Sequence, residues 1–111
     1  MMKKEYRIKK SLDFRKAYKE GRRFSSPHFI LYVRRNRLPY ARVGVSIAKA
    51  HFKLATRRNK LRRVVKELFR KGITAERCGY DFVVASRAGC RDSDIKQVMR
   101  ELEGLISKPK R

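Results

Sequence analysis

Residues 54–71, LATRRNKLRRVVKELFRK, carry the reading of this chain, because they form one amphipathic helix divided into an apolar face and an arginine face. At about 100° per residue, Leu61, Val64, Val65, Leu68 and Phe69 fall on one arc, and Asn59, Arg62, Arg63, Lys66 and Arg70 fall on the opposite one. The first arc must dock on something; the second is left for a partner. Thr56 is placed to cap the helix, yet Arg57 and Arg58 follow it in the first turn, where the helix dipole favours acids. That violation costs roughly a few tenths of a kcal/mol, and it becomes a gain when a phosphate occupies the helix N-terminus. A solvated charged face is the plainer alternative, but Glu67 is the one acid in the segment available to pair with these cations.

Upstream, ARVGVSIA at 41–48 alternates strictly, with Val43, Val45 and Ile47 on one side of a strand and Gly44, Ser46 and Ala48 on the other. The small-residue side is a shallow floor that another element must cover or fill. KAHFKL at 49–54 links this strand to the arginine helix, FILYV at 29–33 reads as a further strand, and RLPY at 37–40 supplies a proline turn. Ser11 is expected to cap a first helix over Leu12–Glu20, with Asp13 in its first turn and Gly21 as its stop. Phe14, Ala17 and Tyr18 share one face of that helix, and Arg15, Lys16 and Lys19 lie elsewhere on it. Downstream, Gly72 ends the arginine helix and YDFVVAS at 80–86 is a strand. Asp92 or Ser93 caps a last helix carrying Ile95, Val98, Met99, Leu102 and Ile106, before the basic tail KPKR. The order α-β-β-α-β-α, with room for an extra strand, predicts an α/β (α+β) sandwich in which helices pack on a small mixed sheet. The 111 residues fit a single domain, with a basic N-terminal arm and a short basic C-terminal tail.

Charge narrows the function. Thirty-two Lys and Arg against ten Asp and Glu give +22, far beyond what solubility needs, and the self-repulsion is relieved by a polyanion. Residues 1–71 hold 24 basic and 4 acidic side chains, whereas residues 72–111 hold 8 and 6, so the partner belongs to the first two-thirds. Nucleic acid is favoured over membrane, since no apolar run approaches the length of a spanning helix. MMKKEYRIKK is basic but precedes no apolar stretch, so it does not read as a secretory signal, and a cytoplasmic location is expected. Cys78 and Cys90 lack the paired spacing of a zinc site; His28 and His51 are far apart and read as core or surface residues. No phosphate-cradling glycine loop, Ser/His/Asp set or close acidic pair is present, so no protein catalytic residues and no protein metal site are expected.

RVGVSIAK, RRNKLRRVVKELFR and YDFVVASRAG, in that order and at these separations, make the chain resemble the protein subunit of bacterial ribonuclease P over nearly its whole length. The family signature is an Arg-Asn-Arg run followed one residue later by Lys/Arg-Arg. Here it reads Arg58, Asn59, Lys60, Leu61, Arg62, Arg63, so its third position is Lys, which keeps the charge and loses the planar bidentate fork. DFRKAY places Phe14 and Tyr18 where the family carries two aromatics, and Arg87 keeps a basic position whose neighbour here is Ala88. The resemblance implies a ribosomal-protein-like fold with a left-handed βαβ crossover, although most crossovers are right-handed. It further implies an RNA–protein enzyme that removes the 5′ leader of precursor tRNA, with chemistry at a Mg2+ site in the large RNA subunit. The expected partners are that catalytic RNA and precursor tRNA; no obligate protein partner is evident.

On this reading the RNA subunit is bound by Lys53, Arg57, Arg58, Asn59, Lys60, Arg62, Arg63, Lys66 and Arg70. The single-stranded leader is bound by Phe14, Tyr18, Tyr32, Ser46, Lys49 and Arg87, with bases stacking on the aromatics. Phe14 and Tyr18 at i, i+4 would be core in most helices; the basic residues around them and the small residues Gly44 and Ser46 favour a cleft. A structural ribosomal protein that binds rRNA is the main rival, since composition fits both, and the ordered Arg58–Arg63 motif separates them. A DNA-binding module would want a recognition helix beside a short helix-turn.

Overall fold

Alternation along FILYVRR sets the layers: Phe29, Leu31 and Val33 join one buried cluster, while Tyr32 packs against another on the opposite side of the sheet. The computed structural model describes residues 7–49, 54–72, 79–87 and 100–105, and the side chains of residues 70–72 are outside this description. In chain order the elements are α1 (Ser11–Glu20), β1 (Arg22–Ser25), β2 (Phe29–Arg35), β3 (Arg42–Ser46), α2 (Ala55–Gly72) and β4 (Tyr80–Ser86), and residues 100–105 are again helical.

The sheet order is β1-β2-β4-β3. β1 pairs with β2 and β2 with β4 antiparallel, whereas β3 and β4 are parallel neighbours joined through α2, so the sheet is mixed as expected. β1 is the extra strand. RRFS has no apolar alternation to betray it, and it exists by pairing Arg22–Ser25 with Ile30–Val33 across a tight turn, its exposed arginines sitting at the sheet edge. The N-terminal arm touches the opposite edge: the Ile8 backbone N–H donates to the Val43 carbonyl at 2.8 Å.

The larger core lies between the sheet and α2. Leu61, Val65 and Phe69 are fully buried there against Phe29, Leu31, Val43, Phe82 and Val84, and Val64 and Leu68 pack beside them. Burying such side chains contributes about 1.5–3 kcal/mol each, so this arc of the helix supplies much of the cohesion. Leu102 and Leu105 of the last helix complete that layer. The smaller core, on the other face, joins Ile8, Ala17 and Val83 with Phe14 and Tyr32.

Both helix starts differ from expectation. Ser11 is the first helical residue and Lys10 the cap, with no side-chain bond; the Asp13 and Phe14 amides donate to the Lys10 carbonyl instead. In α2 the Arg57 and Arg58 amides donate to the Leu54 carbonyl, which puts Thr56 inside the first turn. No acid stands in that turn, so the electropositive helix start remains. Gly21 does end α1: a Cβ there would lie 2.5 Å from the Ala17 carbonyl oxygen, so only glycine allows this approach. The expectations for Cys78, Cys90, His51, the link at 50–53, the start of the last helix and the basic tail fall outside the described residues.

Candidate RNA-binding surfaces

Across the sheet, Tyr32, Val83 and Gly44 are register partners on β2, β4 and β3, and α1 lies over this row. At the β3 end, Gly44 makes room for Phe14. A Cβ at residue 44 would come within 2.9 Å of two Phe14 ring carbons, closer than side chains pack. At the β2 end, Tyr18 meets Tyr32 edge to face with centroids 4.9 Å apart, and the Phe14 and Tyr18 centroids are 6.4 Å apart. Phe14, Tyr18 and Tyr32 therefore form one run of rings. Ala17, between them, is fully buried, but Tyr18 keeps 39% of its surface exposed. The next row, Ile30, Ala85 and Ser46, continues the floor, and Ser46 and Ala85 remain half-buried.

On the other side of the aromatic row stands an ion-pair network. Asp81 is completely buried, and both its oxygens are taken by Arg42: Nε donates to Oδ1 at 2.9 Å and Nη2 to Oδ2 at 2.7 Å. Asn36 Nδ2 adds a third bond to Oδ1 at 2.8 Å, and Arg34 lies 3.8 Å from Oδ2. Arg42 also pairs with Asp13 at 3.5 Å, and Arg34 with Glu20 at 3.0 Å, so both ends of α1 are tied to the sheet. The bond to Asp81 holds the Arg42 guanidinium protonated more firmly than usual, against the opposing effect of burial.

Where the arm, α1, β3 and α2 converge, a hollow of about 260 Å³ is lined by Arg7, Ile8, Lys9, Phe14, Val43, Val45, Arg62 and Lys66. Four of the eight are cations and none is an acid. The Arg7 Nε is buried with no acceptor among the described residues. Burial, then the positive charges of Arg7 and Arg62, push the Lys66 ammonium below its usual pKa. An anion placed here would satisfy the Arg7 donor and relieve the repulsion. The hollow also brings Phe14, expected at the leader, together with Arg62 and Lys66, expected at the RNA subunit.

Arg57, Asn59, Lys60 and Arg63 are exposed on α2, and Arg58 is half-buried. Asn59 Oδ1 accepts from the Arg62 guanidinium at 3.0 Å, which orients that arginine. Lys49 is exposed just beyond β3, while Lys53 and the Arg70 side chain lie outside the described residues. Arg87 is held by the hairpin loop, its Nη1 donating to the Ser26 carbonyl at 2.7 Å, so it is part of the scaffold as well as a basic group near the floor.

Sequence reasoning missed three groups. Arg7 and Lys9 flank Ile8 with period two, a short strand-like signal hidden in a basic arm. The Asp81 network had no local signature, because its five charges come from four elements. His28 has a structural role: Glu101 of the last helix accepts from the His28 amide at 2.6 Å, contacts His28 Nδ1 at 2.7 Å and accepts from the Ser26 hydroxyl. Burial raises the Glu101 carboxyl pKa, but the bonds from Ser26 and His28 outweigh it and hold it below the ordinary value.

A basic α+β domain with a ring-lined sheet face beside a cation-lined hollow has the character of an RNA-binding protein. Comparison with known proteins makes this specific. Residues 2–110 match the family model Ribonuclease P. The ribonuclease P protein component of Clostridioides difficile strain 630 is 35% identical over 102 residues, covering 91% of this chain and 89% of the relative. The solved ribonuclease P protein of Staphylococcus aureus superposes with TM-score 0.80 at 30% identity, covering 91% of this chain and 92% of that one. That of Thermotoga maritima gives TM-score 0.75 at 32% identity, with 95% and 98% covered. The chain belongs to the ribonuclease P protein family, and its function is that of the protein component of this ribonucleoprotein in 5′ processing of tRNA. The rival reading as a ribosomal protein is not favoured. Among the described residues no helix is long and apolar enough to cross a membrane, and no group of three His, Cys, Asp or Glu is placed to hold a metal ion.

Proposed function

We propose that this chain binds the catalytic RNA through the basic side of α2 and receives the single-stranded 5′ leader of precursor tRNA along α1, leaving hydrolysis to the RNA. The observation that carries the reading is the continuity of the Phe14–Tyr18–Tyr32 rings with the hollow lined by Arg7, Lys9, Arg62 and Lys66. Rings alone would suit many ligands, and cations alone any polyanion. Side by side they suit a strand whose bases stack while its phosphates are held. Ser46 and Ala85 extend the floor, with Lys49 and Arg87 at its end, and stacking on rings tolerates different bases, which suits an enzyme that accepts many leaders.

The exposed Arg57, Asn59, Lys60 and Arg63, with Arg58, form the adjoining face toward the RNA subunit, where the acid-free start of α2 favours a phosphate. The protein's part is to fix the leader relative to the RNA and to neutralise phosphate repulsion between two RNAs. Mg2+ belongs to the RNA subunit in this scheme. Asp13, Glu20, Asp81 and Glu101 are each engaged by arginine or by Ser26 and His28, so these carboxylates do not fit a magnesium site. The cytoplasm, where precursor tRNA is made, is the corresponding location.

Reconstitution tests this directly. Added to a bacterial ribonuclease P RNA at low magnesium, the protein should restore precursor cleavage, and alone it should be inert. Cleavage by the purified protein without RNA, or no effect on the RNA, overturns the proposal.

A further inference from the structure

The charges Glu20, Arg34, Asp81, Arg42 and Asp13 form a belt of alternating sign that begins and ends on the same helix. Its spacing follows from elementary geometry. Asp13 and Glu20 are seven residues apart, about 10.5 Å along a helix, and β3 and β2 are separated by one strand, about 9.6 Å. A helix laid across the strands thus meets Arg42 with Asp13 and Arg34 with Glu20, and Asp81 on β4 completes the belt between them. Arg42, Asp81 and Arg34 are register partners two residues along from the row Gly44, Val83, Tyr32. Fixing the belt fixes how α1 is rolled over the sheet, and with it how Phe14 and Tyr18 lean on the aromatic row.

We infer that Asp81 is a positioning residue for the leader: through Arg42 and Arg34 it holds α1 at the height and roll that present Phe14 and Tyr18 to bases. This rests on the leader reading above. Two features favour it over simple adhesion. A buried carboxylate with two arginines is a poor way to gain stability compared with apolar residues, and its attested use is to specify one geometry. Glu20, moreover, stands at the C-terminal end of α1, where the dipole disfavours an acid, so its pairing with Arg34 offsets a local penalty. Glu20 is half-exposed, and such a pair adds little to stability by itself.

The test is made in the reconstituted holoenzyme with Asp13→Asn/Glu20→Gln, which opens both ends of the belt without emptying the buried site, beside Asp81→Asn and Phe14→Ala. Removing two acids makes the chain more positive, so a pure charge effect strengthens RNA binding. The belt requires the reverse for the leader: preference for precursor over mature tRNA should fall roughly fivefold or more, with RNA-subunit affinity unchanged or higher. Asp13→Glu, which keeps the carboxylate, should retain the preference. If Phe14→Ala loses the preference and the double variant keeps it, the belt has no positioning role and the leader reading stands. If neither loses it, the leader reading fails and this inference with it. Should Asp81→Asn not fold, the double variant decides alone.

Discussion

Tyr18 of α1 stands edge-on to Tyr32 of β2, with ring centroids 4.9 Å apart and planes inclined at 67°. The arrangement is favourable in itself, because the positive edge of one ring meets the negative face of the other. Its importance lies in what it leaves open. Tyr18 is among the few large apolar side chains still substantially exposed among the described residues, and the residue before it in the helix, Ala17, is buried against the sheet. A ring held in place and accessible is what a stacking base requires.

Gly44 should be indispensable to this arrangement. Adding one methyl group there places it 2.9 Å from the Phe14 ring and 3.1 Å from Ile8 Cβ. Gly44→Ala is expected to rotate the Phe14 ring out of its seat and to destabilise the fold by about 1–3 kcal/mol. Urea unfolding checks the stability change, and a midpoint equal to the wild type would show that Phe14 is not seated on residue 44.

The α2 face should bind RNA chiefly through phosphates. Arg62→Ala and Arg63→Ala should each weaken binding to the RNA subunit and reduce the slope of log K against log salt by about one. Fluorescence titration from low to moderate salt measures both quantities. Unchanged slopes in both variants would remove this helix from the interface.

Acid should loosen the last helix. Because the Glu101 pKa lies lower in the folded than in the unfolded chain, its contribution to stability is complete above the unfolded pKa and disappears as pH falls through the folded one. Melting temperature should therefore drop on acidification below about pH 5, and Glu101→Gln should flatten part of that drop while lowering stability near neutrality. Parallel acid profiles for the two proteins would show that the contacts to Ser26 and His28 do not favour the carboxylate.

Alkali should weaken RNA binding through Lys66. The free protein holds this ammonium below its usual pKa, and a phosphate in the hollow reverses that, so binding takes up a proton. Affinity should decline as pH rises through the free-state pKa, earlier than an ordinary lysine allows, and Lys66→Arg should abolish the decline. Equal pH profiles for the two proteins would mean that no phosphate approaches Lys66.

Most of the framework is legible in the residues. The alternation of ARVGVSIA and the apolar arc from Leu61 to Phe69 state which faces are buried, and the structure buries them. The sequence reading puts Phe14, Tyr18 and Tyr32 on one surface, and the three rings meet there. What was not legible depends on partners distant in sequence. RRFS becomes a strand because β2 offers an edge, not because of its own pattern. Asp81 reads as one polar residue in an apolar strand until Arg42, Arg34 and Asn36 converge on it. His28 and Glu101 are 73 residues apart and have no local signal at all. Arg7 and Lys9 are indistinguishable from other basic residues of the arm until Ile8 docks beside Val43.

The most direct measurement of the central claim is the affinity of the reconstituted holoenzyme for precursor tRNA relative to mature tRNA, for the wild type, Phe14→Ala and Tyr18→Ala, with melting temperatures as controls. Each lost stacking surface should reduce the preference for precursor by about 1–3 kcal/mol, while mature tRNA and the RNA subunit bind as before. Variants that melt earlier yet discriminate precursor from mature tRNA as the wild type does would make these rings packing residues, and the leader would have to run elsewhere.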